Sequence, residues 1–302
     1  MAASPSALPG ATAPLRAAIP ALEISYFTDP LCCWSWGFEP QLRRLRYAFA
    51  GRIALRLRMG GMIGDWNGFS DPLNDIHRPA QMGPLWIQAG TITGMAAEPT
   101  VWVHDAPASS WPSCLAVKAA GLQLPAAADL YLRRVREAVM IQGRNVARHD
   151  VLIDIAQSLA QERPDLIDAE LFERDFAGRE ARTALEEDVR EARFRGVRRF
   201  PCLGLSRSGA EPVWLVGWRP WEALVAAVRD CAPNLGAERK PANPDAYALY
   251  WAGVLEPEVA VAFGRSQQAI SAGSVHTPSS GTSGEPVQGS ADLHRQASNE
   301  KS

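Results

Sequence analysis

Basic residues do not outnumber acidic residues in this sequence. Among 302 residues, 31 Lys and Arg stand against 33 Asp and Glu, which gives a formal net charge of −2. A chain without a basic excess is poorly suited to neutralise phosphates, so nucleic acid and anionic membranes are not expected as its main partners. No run approaches the roughly 20 apolar residues that a membrane-spanning helix needs. Because 47% of the residues are hydrophobic, we still expect a sizeable buried core.

Cysteine and histidine are also scarce. The five cysteines are an odd number and show no spacing typical of a disulfide framework. Reduced thiols in the cytoplasm are therefore predicted. Three of the histidines, His77, His104 and His149, share no metal-ligand spacing with each other or with the cysteines. No metal site is expected.

The two ends of the chain lack the patterns of folded or exported segments. Four prolines and an arginine interrupt the apolar residues near the N-terminus, whereas an export signal needs a continuous apolar stretch. Residues 1–21 are therefore predicted to be a disordered leader. Residues 266–302 are rich in Ser, Gly, Gln and Pro, so a disordered tail is predicted there. Between them, the apolar residues of 243–265 predict a helical hairpin that docks on the main domain, with a break near Pro257.

Two short segments near the N-terminus alternate apolar and polar residues, which is the period of a half-buried strand. They are Leu22 to Tyr26 and Ile53 to Met59. Between them, apolar residues from Phe38 to Phe49 recur at steps of three and four, which predicts an amphipathic helix. Residues 22–61 therefore form a predicted β-α-β unit.

The rest of the chain continues with helices and then a hairpin. Residues 62–112 are predicted to be irregular, and helical periodicity dominates from Ser113 to Arg195, so residues 62–195 form a predicted helical insertion. In residues 196–233, two strands separated by a turn at Ser208–Gly209 precede a final helix. The predicted class is α/β: a thioredoxin fold, β-α-β … β-β-α, with an inserted helical domain.

A cysteine stands where the first strand hands over to the first helix. Side chains in the first turn of a helix lie near unsatisfied N–H groups and the positive end of the helix dipole. A thiolate at that place is stabilised, and thiolates rather than thiols attack disulfides. Cys32 is therefore the predicted nucleophile, with a lowered pKa.

The residues around Cys32 resemble the active-site motif Asp-Pro-x-Cys-x-Trp-Cys-x-Gly of bacterial DsbA-like proteins. The similarity is to the cytoplasmic branch that includes FrnE-type oxidoreductases and adaptors of the Clp protease. Five positions match that motif, namely Asp29, Pro30, Cys32, Trp34 and Gly37.

Further downstream, Gly196-Val197-x-x-Phe200-Pro201 resembles the loop that carries the cis-proline of thioredoxin folds. The segment from Gly143 to Val146 resembles the helical domain of the same group. The resemblance covers about residues 22–230 and implies a cis Pro201 beside the nucleophile. It also implies that Phe200 and its neighbours hold the backbone of a partner.

Ser35 stands where the family has its second, resolving cysteine. A Cys-x-x-Ser site cannot form an internal disulfide with Ser35, but its thiol can form a mixed disulfide with glutathione or a protein. The Ser35 hydroxyl is expected to donate a hydrogen bond to the Cys32 thiolate. Kappa-class glutathione transferases and hydroxychromene-carboxylate isomerases share the fold and hold glutathione with a serine, one turn earlier than Ser35.

Two further cysteines neighbour these motifs, and each has two interpretations. Cys33 is either a thiol that contacts the substrate or resolves Cys32, or a buried core residue, which is the commoner state of free cysteine. Cys202 follows the predicted cis-proline and either approaches Cys32 or lies in the sheet core. Together with Trp34 and Phe200, both are candidate substrate-binding residues.

The favoured hypothesis is a cytoplasmic thiol-disulfide oxidoreductase of the DsbA family that works with one thiol. In this hypothesis Cys32, Ser35 and Pro201 carry catalysis. The partners are protein thiols and disulfides or a glutathione-like thiol, and no other cofactor is implied. Two alternatives remain open: a DsbA-like adaptor without redox turnover, and a glutathione-dependent transferase or isomerase.

Overall fold

A computed structural model describes residues 21–207 and 210–265, and the backbone of residues 275–276. The predicted leader up to residue 20, the predicted turn at Ser208–Gly209 and nearly all of the predicted tail lie outside the described residues. The strands are β1 (Leu22–Thr28), β2 (Ile53–Met59), β3 (Cys202–Ser206), β4 (Val213–Val216), β5 (Val254–Leu255) and β6 (Val275–His276). The helices are α1 (Cys33–Gly37), α2 (Glu39–Ala48), α3 (Met82–Thr93), α4 (Val101–His104), α5 (Trp111–Gln123), α6 (Pro125–Met140), α7 (His149–Glu162), α8 (Ala169–Ala177), α9 (Arg179–Phe194), α10 (Trp221–Cys231), α11 (Pro244–Trp251) and α12 (Glu256–Ala262).

Four strands form a mixed sheet in the order β2-β1-β3-β4. Strand β1 pairs parallel to β2 and antiparallel to β3, and β3 pairs antiparallel to β4. This connectivity, with helices between the parallel strands and after β4, is the predicted thioredoxin arrangement, and the fold class is confirmed. A separate two-stranded pairing joins β5 and β6.

The alternation in β1 decides which residues face each side of the sheet. Leu22, Ile24 and Tyr26 are fully buried in a core with residues of α2 and α10. Phe27 and its register partner Cys202 pack on the other face with Ala192 of α9. The sheet is therefore covered by helices on both faces, and the carboxyl end of β1 is enclosed between them.

Seven helices, α3 to α9, lie between β2 and β3. Their core is continuous with α1, because the buried side chains of Cys33 and Trp36 belong to it. The helical segment therefore packs directly on the helix that follows Cys32. In the described ranges, no helix has both the length and the apolar character needed to cross a membrane.

The predicted irregular segment 62–112 contains two helices, α3 and α4, so that prediction was wrong. Helix α3 has Gly83, Gly90 and a run of β-branched residues at its end, all of which lower helix propensity. Its Trp86 and Ala89 are nonetheless buried, and it packs against α1. Tertiary packing rather than local propensity stabilises this helix.

The C-terminal segment 243–265 forms the helices α11 and α12, which pack against α2. The break between them falls at Ala252 and Gly253, both with positive φ, and not near Pro257 as predicted. Pro257 instead lies in the first turn of α12, where a missing N–H costs nothing. The Tyr247 ring packs edge-on against Tyr47, with centroids 5.3 Å apart.

Candidate functional site

Cys32 is the N-cap residue of α1. Its backbone is extended, and its Sγ accepts a hydrogen bond from the backbone N–H of Ser35 at 3.4 Å. The Cys32 N–H in turn donates to the carbonyl oxygen of Asp29 at 3.1 Å, which closes the turn after β1. The sequence-based placement of this thiol at the strand-to-helix junction is therefore confirmed.

The loop before β3 brings Phe200 and Pro201 to the same place. The Phe200–Pro201 peptide bond is cis, as the family resemblance implies. The Cys32 thiol donates to the carbonyl oxygen of Phe200 at 3.5 Å. Pro201 is held from the other side, because its carbonyl oxygen accepts from the Gly217 N–H at 2.7 Å. The two halves of the thioredoxin fold thus meet at Cys32.

Burial changes the acidity of Cys32 in the direction opposite to the prediction. The residue is 5% exposed, and desolvation raises the pKa of its thiol above the ordinary value. The Ser35 side chain and N–H and the buried Arg136 act in the lowering direction, whereas Asp29 adds to the rise. The prediction of a lowered pKa was wrong because the helix terminus does not offset the loss of water.

The backbone N–H of Ser35 donates a hydrogen bond to Cys32 Sγ. The residue is fully buried, and its hydroxyl has no hydrogen-bond partner among the described residues. The expected hydrogen bond from this hydroxyl to Cys32 Sγ is not formed, although the nearby Ser35 side chain, like the Ser35 N–H, acts to lower the pKa of Cys32. Because no second thiol stands at this position, the site cannot close an internal disulfide between residues 32 and 35.

The other two candidate thiols, Cys33 and Cys202, form no hydrogen bond with Cys32 Sγ. Cys33 points into the helical core, with its Sγ 4.0 Å from the carbonyl oxygen of Leu85. Cys202 lies in the core between the sheet and α9, and burial raises its pKa to about 11. Both placements favour the core interpretation over substrate binding, because the inward side of a strand or helix excludes a partner. Trp34 is half-buried and packs on the rim of the helical core.

Asp29 is a buried carboxylate whose role the sequence indicates only through its position in the cysteine motif. It accepts hydrogen bonds from the N–H groups of Leu31 (2.9 Å) and Met62 (2.7 Å), and from the hydroxyl of Ser110 (2.8 Å). The Cys114 thiol donates to it at 3.4 Å. Burial raises the pKa of Asp29, and these four donors act against the rise. Through these hydrogen bonds, Asp29 links the end of β1 to the segments that contain Met62 and Ser110.

A buried ionic network underlies α1. Arg136 of α6 is 1% exposed; it donates to Glu39 Oε2 at 2.7 Å and to the hydroxyl of Thr28. Burial opposes the ionisation of Glu39, but Arg136, Arg133 and Arg43 outweigh it and lower the pKa of that carboxyl. Sequence reasoning missed this network because its members are far apart in the chain. The one available signal was a glutamate two residues after the cysteine motif, Glu39.

The same network extends to the C-terminal helices. Glu258 of α12 is fully buried and accepts two hydrogen bonds of 3.0 Å from Arg133. Arg43 Nε lies 3.2 Å from the Glu258 carboxylate. The Arg133 guanidinium also lies over the Trp36 ring, 4.8 Å from its centroid. The C-terminal helices are thereby linked through α6 to α1, the helix that Cys32 caps.

The Phe200 ring packs directly on the backbone at Gly60. A Cβ atom at Gly60 would overlap the ring, so only glycine leaves room for it. Gly60 also donates its N–H to the carbonyl oxygen of Thr28 at 2.7 Å. This close contact fixes the position of the cis-proline loop, in which the carbonyl oxygen of Phe200 accepts the hydrogen bond from the Cys32 thiol.

The fold and the cysteine beside a cis-proline define a protein of the thioredoxin class. A sequence-family model described as Thioredoxin matches residues 26–211. The chain belongs to this family, and its fold is the DsbA-like thioredoxin fold that the resemblance implies.

Relatives of known name agree with this assignment. A ClpXP adapter protein SpxH of Halalkalibacterium halodurans is 28% identical over 244 residues, which cover 80% of this chain and 78% of the relative. A solved structure proposed to be a protein disulfide isomerase of Nitrosomonas europaea has a TM-score of 0.60 and 22% identity, and the match covers 71% of this chain and 99% of that one. The cytosolic disulfide reductase DsbM of Pseudomonas aeruginosa has a TM-score of 0.51 and 23% identity, covering 64% of this chain and 88% of that one. The two structures show a shared fold.

The chemistry that the site offers is that of one thiol. In the described part of the chain, no group of three or more His, Cys, Asp or Glu side chains is placed to hold a metal ion. All five cysteines lie in the described ranges, and each is free. Of these, Cys32 alone combines the helix N-cap with the cis-proline loop.

Proposed function

We propose that this protein forms a mixed disulfide with a thiol- or disulfide-bearing partner through the single thiol of Cys32. The thiol loses its proton to solvent, and the thiolate attacks one sulfur of the partner disulfide. One S–S bond forms between Cys32 and the partner, one S–S bond breaks, and the second partner sulfur leaves as a thiolate.

The observation that carries the proposal is the position of the Cys32 sulfur between the N–H of Ser35 and the carbonyl oxygen of Phe200. A helix N-terminus favours the thiolate, and the cis-Pro201 loop supplies backbone groups to an extended partner. No other thiol in the chain has both neighbours.

With a serine at position 35, the proposed cycle requires a second thiol from outside the protein. Because Ser35 cannot attack the mixed disulfide, a glutathione-like thiol or a second protein thiol must release the partner. That thiol attacks the partner sulfur, and Cys32 leaves as the thiolate.

Under this proposal, Cys32 of the free protein reacts slowly with disulfides. Since burial raises the pKa of Cys32, only a small fraction is ionised near neutral pH. Attack proceeds through that fraction, and the rate rises with pH up to the pKa of the thiol.

Intact mass after incubation with oxidised glutathione tests the proposal. The wild-type protein should gain one glutathione on Cys32, and reduced glutathione should remove it. The Cys33→Ser variant should react like wild type, and the Cys32→Ser variant should not react. An adduct that persists without Cys32, or no adduct at all on the native protein, would contradict the proposal.

A second candidate function is that of an adapter that binds a protein without redox turnover. Two observations favour it: the relatives named ClpXP adapter proteins, and a buried Cys32 with a raised pKa. Binding of the labelled protein to purified ClpXP, measured by fluorescence anisotropy, tests it. An adapter should bind, and the Cys32→Ser variant should bind equally well; no binding would reject this candidate.

A cytoplasmic location belongs to the same proposal. Five free cysteines suit a reducing compartment, where a monothiol site has access to reduced low-molecular-weight thiols. Antibody detection of the protein in fractionated cells checks this location. Recovery in a fraction outside the cytoplasm would contradict it.

A further inference from the structure

An exposed cluster of arginines surrounds one exposed phenylalanine at the end of α9. Residues 193–199 read Arg-Phe-Arg-Gly-Val-Arg-Arg, and all four arginines are exposed. Phe194 is 86% exposed, more than any other large hydrophobic side chain in the described ranges. We call this segment the arginine–phenylalanine surface.

Most of these arginines have no ion-pair or hydrogen-bond partner among the described residues. Arg195 pairs with Glu191 at 2.9 Å and lies over the Trp214 ring. The side chains of Arg193, Arg198 and Arg199 form no ion pair or hydrogen bond with any described residue. The contrast within the chain is clear, because the arginines under α1 are paired with buried carboxylates. Within the described residues, these guanidinium groups are therefore free to pair with an acidic partner.

Helix capping accounts for part of the cluster only. Arg193 lies in the last turn of α9 and Arg195 is its C-cap, where cations interact favourably with the helix dipole. Arg198 and Arg199 lie beyond the helix and gain nothing from it. The Phe194 ring is likewise left almost entirely in water in the free protein.

The surface leads directly into the site. Arg199 precedes Phe200, whose carbonyl oxygen accepts the Cys32 thiol, and consecutive Cα atoms lie about 3.8 Å apart. Arg198 and Arg199 therefore lie next in the chain to the cis-Pro201 loop, within reach of a partner segment that binds along that loop.

We infer that the arginine–phenylalanine surface binds an acidic segment of a partner protein that presents a cysteine to Cys32 and an apolar side chain to Phe194. This inference rests on the proposed mixed-disulfide chemistry and names its partner class. Charge complementarity carries it, since five arginines and one glutamate stand between residues 190 and 199 in a chain of net charge −2. A protein is favoured over nucleic acid because a single exposed ring offers no stacking platform for successive bases.

Two matched peptides test the inference. One carries Asp and Glu around a single cysteine and a Leu; the other has Asn and Gln in place of the acidic residues. Each cysteine is first linked to thionitrobenzoate. When Cys32 attacks the peptide sulfur, the new S–S bond releases coloured thionitrobenzoate, which reports the rate. The acidic peptide should react about tenfold faster at low salt, and the advantage should shrink as salt is added.

Variants at the two ends of α9 provide the control. Arg198→Glu combined with Arg199→Glu should remove the advantage of the acidic peptide, and Phe194→Ser should slow the reaction of both peptides. Arg179→Glu combined with Arg182→Glu makes the same charge change at the exposed start of the helix and should leave the rates unchanged. Equal rates for the two peptides, or equal losses in both double variants, would overturn the inference.

The outcomes also separate this inference from the proposed function. Anisotropy that shows Arg198-dependent binding of the acidic peptide without release of thionitrobenzoate would reject the mixed-disulfide step and support the surface. Release at equal rates from both peptides would support the step and reject the surface. A single-stranded DNA oligonucleotide that displaces the acidic peptide at lower concentration than the unlabelled peptide does would reject a protein partner.

Discussion

The Cys32 thiol lies 3.5 Å from the carbonyl oxygen of Phe200, although 168 residues separate them in the chain. This contact joins the helix after β1 to the cis-proline loop before β3. The Phe200 carbonyl group also covers one side of the Cys32 sulfur and so contributes to its burial. The same geometry thus positions the thiol for exchange and raises its pKa.

The first prediction concerns the pH dependence of Cys32. Because burial raises its pKa, its alkylation by iodoacetamide should follow a titration curve with a midpoint above that of a free cysteine. Mass mapping of the labelled peptide across pH measures the curve. A midpoint below that of free cysteine would show that the helix terminus outweighs burial.

The same shift predicts a loss of stability in alkaline solution. The pKa values of Cys32, Cys33 and Cys114 are all raised in the folded protein, so the unfolded chain ionises first as the pH rises. The contribution of these thiols to the free energy of unfolding is fully present below the ordinary cysteine pKa. It is lost as the pH rises through the raised pKa values of the folded protein. Urea unfolding at neutral and alkaline pH checks this, and Cys33→Ala should reduce the loss. An identical pH dependence in that variant would contradict the assignment to Cys33.

Ser35→Cys should convert the site into a dithiol. The Ser35 N–H already lies 3.4 Å from the Cys32 sulfur, so a thiol at residue 35 should reach it and form an internal disulfide. Oxidation followed by intact mass should show loss of the two thiol hydrogens, in a Cys33→Ser background as well. If oxidation gives only glutathione adducts, the geometry does not permit the bond.

Gly60→Ala should disturb the cis-proline loop. The new methyl group would overlap the Phe200 ring, and such overpacking costs about 1–3 kcal/mol of stability. It should also slow mixed-disulfide formation by Cys32. Gly64→Ala is the matched control, since its methyl group would have Trp111 Nε1 at 3.7 Å as its nearest contact. Equal effects of the two variants would count against a specific role for Gly60.

Asp29→Ala should destabilise the protein by about 3 kcal/mol, because it leaves several buried donors without an acceptor. Those donors include the N–H groups of Leu31 and Met62. Denaturant unfolding measures the change. Asp150→Ala removes an exposed carboxylate paired with Arg148 and should unfold at nearly the same denaturant concentration as wild type. A small effect at Asp29 would mean that water satisfies its donors.

Glu258→Ala should cost about 3 kcal/mol, because Arg133 and Arg43 each lose a fully buried carboxylate partner. Glu137 and Glu39 remain beside them and limit the cost. Removal of Glu256, which is on the same helix and only partly buried beside Arg265, should change stability by less than about 1 kcal/mol. Unfolding midpoints compare the two variants. If they agree, the C-terminal helices do not depend on the buried ionic network.

Much of the fold was predictable because its signals are local. Strict alternation in Leu22 to Tyr26 and in Ile53 to Met59 predicted β1 and β2, and helical periodicity predicted the helices after Ser113. Helix α3 was missed because its glycines and β-branched residues weaken the local signal, and buried Trp86 stabilises it only through packing.

The sequence by itself determined that Cys32 begins a helix, that Ser35 leaves it without a resolving thiol, and that a proline follows Phe200, since these depend on neighbouring residues. Tertiary structure alone decided that Cys33 and Cys202 face the core and that burial raises rather than lowers the pKa of Cys32. The physical reason is that desolvation depends on every segment that packs around a group, and those segments come from distant parts of the chain.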